Sequence, residues 1–110
     1  MLDAPVPFLT ASANNASSFV MRSQPGAIID FQVNTNAVAG WVMLHDRATA
    51  PTNGAVTPRA VWQVPANSTL TVNYAEFPAN MATGAVLTFS TTGPTTLTLS
   101  ATAWFGGRVR

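Results

Sequence analysis

The chain has no cysteine and no lysine, a single histidine and only four carboxylates. The lack of cysteine excludes disulfides, thiolate zinc sites and cysteine nucleophiles, and leaves no mark of the redox compartment. The lack of lysine makes every basic side chain one of five arginines. Arginine suits interfaces, because its planar fork is weakly hydrated and makes several hydrogen bonds at once. Apart from Arg108 and Arg110 the arginines are scattered, and the net charge is +1. Phosphate binding needs clustered basic residues, so no nucleic-acid partner is expected. Asp3, Asp30, Asp46 and Glu76 are separated, show no calcium-loop spacing and leave one histidine as their sole company. There is no glycine-rich phosphate loop either, so neither a metal nor a cofactor is expected. Long hydrophobic runs are also missing: the longest, Val38 to Leu44, is far too short to span a bilayer. The opening MLDAPVPFLT lacks a basic n-region and a continuous apolar stretch. No membrane partner and no Sec export are therefore expected, and the protein is expected to start in a cytoplasm.

What is present is apolar and rich in threonine. Hydrophobic residues make up 47% of the 110 residues and charged residues 8%, against about 25% charged in ordinary domains. That length is one domain, burying roughly two-thirds of its unfolded surface. The chain is too apolar for disorder and poor in charge for a free monomer, which points to a surface covered by partners. Fifteen threonines, many valines and turn signals every eight to twelve residues form an all-β pattern, with no helical period over a useful length.

Residues 1–15 read as an extended N-terminal arm. Pro5 and Pro7 favour extended backbone there, and Phe8 and Leu9 offer apolar anchors, either for a frayed end or for docking on a neighbouring subunit. Residues 16–110 read as a single domain. Ser17–Arg22 is a strand with Phe19 and Met21 on one face. Ala27–Asn34 is a clearer one, with Ile29, Phe31 and Val33 set against Ile28, Asp30, Gln32 and Asn34. Ala39–His45 is apolar on both faces, the mark of a central strand. Asp46–Pro58 is a long polar connection, followed by the short strand Arg59–Val64 and the turn Pro65-Ala66-Asn67. Leu70, Val72 and Tyr74 alternate with Thr69, Thr71 and Asn73, and Pro78–Asn80 breaks the chain. Gly84–Thr91 alternates again, turned by Gly93-Pro94. Thr95–Phe105 is the longest alternation, with Leu97, Leu99, Ala101, Ala103 and Phe105 inward, Trp104 outward with the threonines, and Gly106-Gly107 as its end. The fold class is thus all-β: an antiparallel β-sandwich or jelly-roll-like barrel of about seven to eight short strands.

Few constellations carry chemistry. His45-Asp46 is the only acid–base pair in sequence, but neighbours on a strand point to opposite faces and no Gly-x-Ser-x-Gly elbow supplies a nucleophile. Asp46 is expected to start the loop, with His45 at a sheet edge. Paired carboxylates for glycoside hydrolysis would require distant residues to converge. No catalytic residue is assigned, and the protein is expected not to be an enzyme. The triplets Asn15-Ala16-Ser17 and Asn67-Ser68-Thr69 are sequons of the kind that arise by chance in such a composition. Trp41, Trp62, Tyr74 and Trp104 are either core and interface residues or a sugar-stacking platform.

Three stretches, WVMLHDRATAPTNGAVTP, VPANSTLTV and TGAVLTFSTTGPTTLTLSATAWF, give residues 40–105 a resemblance to small all-β virion proteins of tailed bacteriophages. The resemblance implies a non-enzymatic structural role, foremost a capsid decoration (cement) protein that binds and stabilises the head lattice. It implies a homo-oligomer, a trimer above all, with the major capsid protein or other virion proteins as partners. It also implies assembly into the virion in the host cytoplasm. The partner contacts expected are Phe8 and Leu9 in the arm, Arg47 and Arg59 flanking the long loop, and Trp104 with Arg108 and Arg110. The rival expectation is a tail, fibre or receptor-binding module that recognises carbohydrate.

Overall fold

The computed structural model describes residues 9–10, 15–74 and 79–109. The β-branched and aromatic runs form strands and the Pro, Gly and Asn clusters interrupt them. The strands are β1 (Leu9–Thr10), β2 (Ser18–Arg22), β3 (Gly26–Thr35), β4 (Gly40–His45), β5 (Gly54–Ala55) and β6 (Ala60–Val64). They continue with β7 (Thr69–Asn73), β8 (Ala79–Met81), β9 (Ala85–Ser90), β10 (Thr96–Leu97) and β11 (Ala103–Val109). Three of these have two residues each, so the eight longer ones match the expected seven to eight. No helix occurs among the described residues.

Every ladder among the described residues is antiparallel. The first sheet runs β1-β11-β3-β7, with β8 also paired to β3; the second runs β2-β9-β4-β6; β10 and β5 form a small third ladder. The two larger sheets pack face to face as a β-sandwich. Phe31, Val33, Ala103 and Phe105 from the first sheet and Val42, Leu44, Leu87 and Phe89 from the second share one buried cluster. Two aromatic pairs cross the gap: Phe31 meets the edge of Trp62 at a centroid distance of 5.3 Å, and Phe105 meets Phe19 at 6.4 Å. Each such contact adds on the order of 1 kcal/mol beyond the area it buries.

Four sequence expectations need correction. On β3 the inward residue before Phe31 is Ile28, fully buried, rather than Ile29. Arg108 pairs with Asp30 and Val109 with Ile28, so Ile29 is an extra residue, a bulge that reverses the alternation at that point. Second, Thr95–Phe105 is not one strand. Thr96 and Leu97 pair with Ala55 and Gly54, Leu99 bridges to Ser90, Ala101 is exposed, and pairing within the first sheet resumes at Ala103. Third, Gly106-Gly107 does not end the strand. Both are buried inside β11, where a Cβ on Gly107 would collide with the Met21 methyl and stand 2.7 Å from the Asp30 carbonyl oxygen. Gly107 thus allows close approach of chains rather than a turn. The expected break at Pro78–Asn80 is likewise occupied in part by β8, whose Ala79–Met81 pair with Ile28–Gly26.

The described part of the arm stays with its own chain. Leu9 and Thr10 pair with Gly107 and Gly106, and Ala16 exchanges backbone hydrogen bonds with Ala103. The Pro65–Asn67 turn is present, with Asn67 at φ 53°, a conformation asparagine tolerates well. Buried Thr35 locks it by donating its hydroxyl to the Pro65 carbonyl at 2.6 Å and accepting the Ser68 N–H at 3.0 Å.

Candidate functional site

The two outer faces of the sandwich are built differently, and the residues expected to matter divide between them. On the second sheet, Trp41, Met43 and His45 of β4 stand beside Ser90, Thr88 and Val86 of β9 on the side away from the core. All but Trp41 are buried. The cover is the chain's own: the connections 46–59 and 91–102 fold back over this face and meet in the β5–β10 ladder. Gly93 lies against the Trp41 ring, so close that a Cβ there would stand 2.6 Å from it. Ser90 Oγ accepts N–H bonds from Thr98 at 2.8 Å and Thr92 at 3.2 Å, and the Asn53 side-chain oxygen accepts the Leu99 N–H at 2.8 Å. The long polar connection is thus a strap that closes a third layer.

His45 and Asp46 sit at the end of this strap and go separate ways, as alternation requires. His45 ends β4, an inner strand of its sheet, and is 2% exposed rather than at an edge. Its Nε2 lies 2.8 Å from Thr88 Oγ1. Burial, and then the nearby Arg47 charge, push the imidazole down to about 4, so it is neutral at pH 7. Asp46 turns toward the β8–β9 turn and accepts backbone N–H bonds from Thr83 at 2.8 Å, Ala82 at 3.0 Å and Gly84 at 3.2 Å. Led by the bonds from Thr83 and Ala82, these hold its carboxyl below the usual range, and the Arg59 charge adds to them. His45 and Asp46 thus have separate partners, the Thr88 hydroxyl and the backbone N–H groups of residues 82–84. Arg47 and Arg59 are both exposed beside them, and the four line a surface cleft of about 340 Å³. Arg59 also donates to the Asn80 carbonyl, tying the strap to β8. Among the described residues no three His, Asp or Glu side chains gather as metal ligands would.

The outer face of the first sheet has no such cover at Thr69, Thr71, Asn73 and Arg108, which are exposed. Cross-strand register arranges three rows: Trp104–Asn34–Thr69, Gly106–Gln32–Thr71 and Arg108–Asp30–Asn73. Amides and hydroxyls dominate. The charges are confined to the last row, where Arg108 and Asp30 approach to 3.8 Å. Thr69 donates its hydroxyl to the Asn34 side-chain oxygen at 2.6 Å.

Of the expected contact residues, Arg47 and Arg59 share the strap cleft, while Trp104 and Arg108 share the open face of the first sheet. Leu9 pairs on β11 of the same chain, and Phe8 and Arg110 lie outside the described residues. The four aromatics do not make one stacking platform. Trp62 packs into the core against Phe31, Trp41 lies under Gly93 on the far side of the second sheet, Tyr74 packs against the core, and Trp104 is on the first sheet's outer face. Sequence reading missed one cluster, Asn15, Asn34 and Asn36 beside Trp104. The ladders that gather it join positions nearly ninety residues apart, and no local pattern marks it. Compared with protein-family models, curated proteins and solved structures, the chain matches none.

Proposed function

We propose that this chain is a non-enzymatic structural protein of a bacteriophage virion that decorates the head, binding the capsid lattice as a homo-oligomer, a trimer above all. The observation that carries this reading is the outer face of the first sheet. It is a strand-ordered array of amide and hydroxyl groups whose charges are confined to one peripheral pair. Depletion of charge together with arginine and aromatic residues is the composition of a protein-binding surface, and short uncharged side chains let a partner approach closely. The ionisable groups at the strap are consistent with this reading, since His45 and Asp46 hydrogen-bond within the fold. Binding would run through the middle of the face, at Gln32 and Thr71, with the strap-side Arg47 and Arg59 toward neighbouring subunits.

The test is co-sedimentation of the purified protein with capsids of the encoding phage stripped of it, after its oligomeric state has been measured by light scattering. A trimer that binds stoichiometrically, and a Thr71→Arg variant that stays folded but does not bind, are expected. A monomer that leaves capsids bare, or a Thr71→Arg variant that binds as well as the parent, overturns the proposal.

A further inference from the structure

On one side the first sheet ends in β7 and β8, which lie in line along the same flank of β3. Thr69–Asn73 pair with Asn34–Asp30, and Ala79–Met81 with Ile28–Gly26. At β8 this edge is covered in part, because Arg59 of the other sheet's flank donates to the Asn80 carbonyl. At β7 it is bare. Two backbone bonds fix the phase of the β3–β7 ladder: Thr35 N–H donates to the Ser68 carbonyl at 2.8 Å, and Tyr74 N–H to the Ile29 carbonyl at 2.6 Å. Hydrogen-bonded pairs recur at every second residue of an antiparallel ladder, so Leu70 and Val72 bond to β3. The backbone N–H and C=O groups of Thr69 and Thr71 therefore point away from the sheet, and no backbone partner meets them among the described residues.

Open edges are ordinarily blunted by charge, proline, a bulge or brevity. β1 has two residues, and β2 has a register shift and Arg22. β7 has none of these protections: its five residues, TLTVN, carry no charge and no proline and pair without a shift. The strand also has the same pattern in both directions about Thr71, polar at 69, 71 and 73 and apolar at 70 and 72. Two copies laid antiparallel about Thr71 set Leu70 against Val72 on the core side and hydroxyls and amides together on the outer side, and no like charges are opposed. Leu70, Val72 and nearby Trp62 pack on the core but stay partly exposed, so a second copy would cover apolar surface that this chain leaves open. We infer that β7 pairs with β7 of a second copy across a two-fold axis at Thr71, joining two first sheets into one. Thr71 exchanges two backbone hydrogen bonds with its counterpart, and Thr69 comes opposite residue 73. A two-fold contact joins copies in even numbers, so it links two monomers or two of the proposed trimers and is not itself a threefold contact.

The experiment follows the mass of the full chain by light scattering over a concentration series. The parent is expected to double in mass as concentration rises, whether it starts from a monomer or a trimer. Thr71→Pro should abolish the doubling. Its missing N–H is the one that faces outward, and an edge strand accepts proline at such a position, so no bond to β3 is lost. Thr71→Cys keeps the inference testable should Thr71→Pro unfold. The chain has no cysteine of its own. A hydrogen-bonded antiparallel pair sets its Cα atoms about 5.5 Å apart, within the span of a disulfide. Mild oxidation should therefore link Thr71→Cys into a covalent pair and leave Thr57→Cys, on the exposed strap, unlinked. A parent of constant mass, equal doubling in folded Thr71→Pro, or oxidation that links Thr71→Cys no more than Thr57→Cys would each overturn the inference. Neither measurement involves capsids, so the pairing can fail while capsid binding holds, and the reverse.

Discussion

The two outer faces of this sandwich differ in what finishes them. The second sheet's outer face is covered by the chain's own strap and buries Met43, Val86, Thr88 and Ser90 completely. The first sheet's outer face ends in exposed threonines and amides. The difference is already written in the strands. β4 is apolar on both sides and can be stable only as the middle of three layers, whereas β3 and β7 alternate and need only two. One face is therefore part of the folding problem and the other is left open, so substitutions on the two should separate into stability effects and, under the proposed function, binding effects.

The largest expected effect breaks the frame that both faces share. Phe105→Ala empties a fully buried site between the sheets and should cost about 3–5 kcal/mol in denaturant unfolding. Met43→Ala tests whether the strapped face is a true interior, and should cost about 2–4 kcal/mol, far above a surface substitution. If it costs under about 0.5 kcal/mol, the strap does not seal that face.

Acid sharpens the comparison further, because His45 and Asp46, at the end of the strap, carry stability that depends on pH. His45 has its folded-state value lowered from 6.5 to about 4. Between those values the unfolded chain binds more protons than the folded one. The contribution is therefore complete above about pH 6.5 and is lost as pH falls toward 4, with a slope of at most about 1.4 kcal/mol per pH unit. Asp46 has the same sign at lower pH: its contribution is present above the ordinary carboxylate range and lost as pH falls through its depressed value. Unfolding measured from pH 7 to 4 should show the histidine slope in the parent and not in His45→Gln. The smallest expected effect is on the open face, where Gln32→Ala and Thr71→Arg should each change stability by no more than about 0.5 kcal/mol. A larger loss at either position would mean that this face, too, is structural.

The sequence made much of this architecture legible, because alternation and burial are the same fact seen twice. β4, β7 and β9 lie where their patterns put them, and the divergence of His45 from Asp46 follows from their adjacency on a strand. The failures have local causes. The Ile29 bulge moves Ile28 inward, and a one-residue insertion is invisible to a period-two pattern. Thr95–Phe105 alternates in sequence while changing partners from β5 to β3, and its inward-reading Ala101 is exposed, since a period-two pattern does not record where a chain leaves one strand for another. Gly106-Gly107 resembles a turn until Met21 and the Asp30 carbonyl are seen pressed against Gly107. The asparagine corner was out of reach for a further reason: residues 15, 34, 36 and 102 meet only after both sides of β11 are paired.

That placement of β11 has a consequence for synthesis. It lies between β1 and β3, joining segments made nearly a whole chain length earlier, and among the described residues no ladder connects strands consecutive in sequence. The β2-β9-β4-β6 sheet uses no residue of β11, whereas β1 has no partner and β3 has one open edge until β11 is in place. Completion of the first sheet, and with it its open outer face, therefore waits for residues 103–109. Slow closure of such distant pairings is the general rule. A molecule truncated before Ala103 would lose Ala103 and Phe105 from between the sheets together with the middle strand of the first sheet.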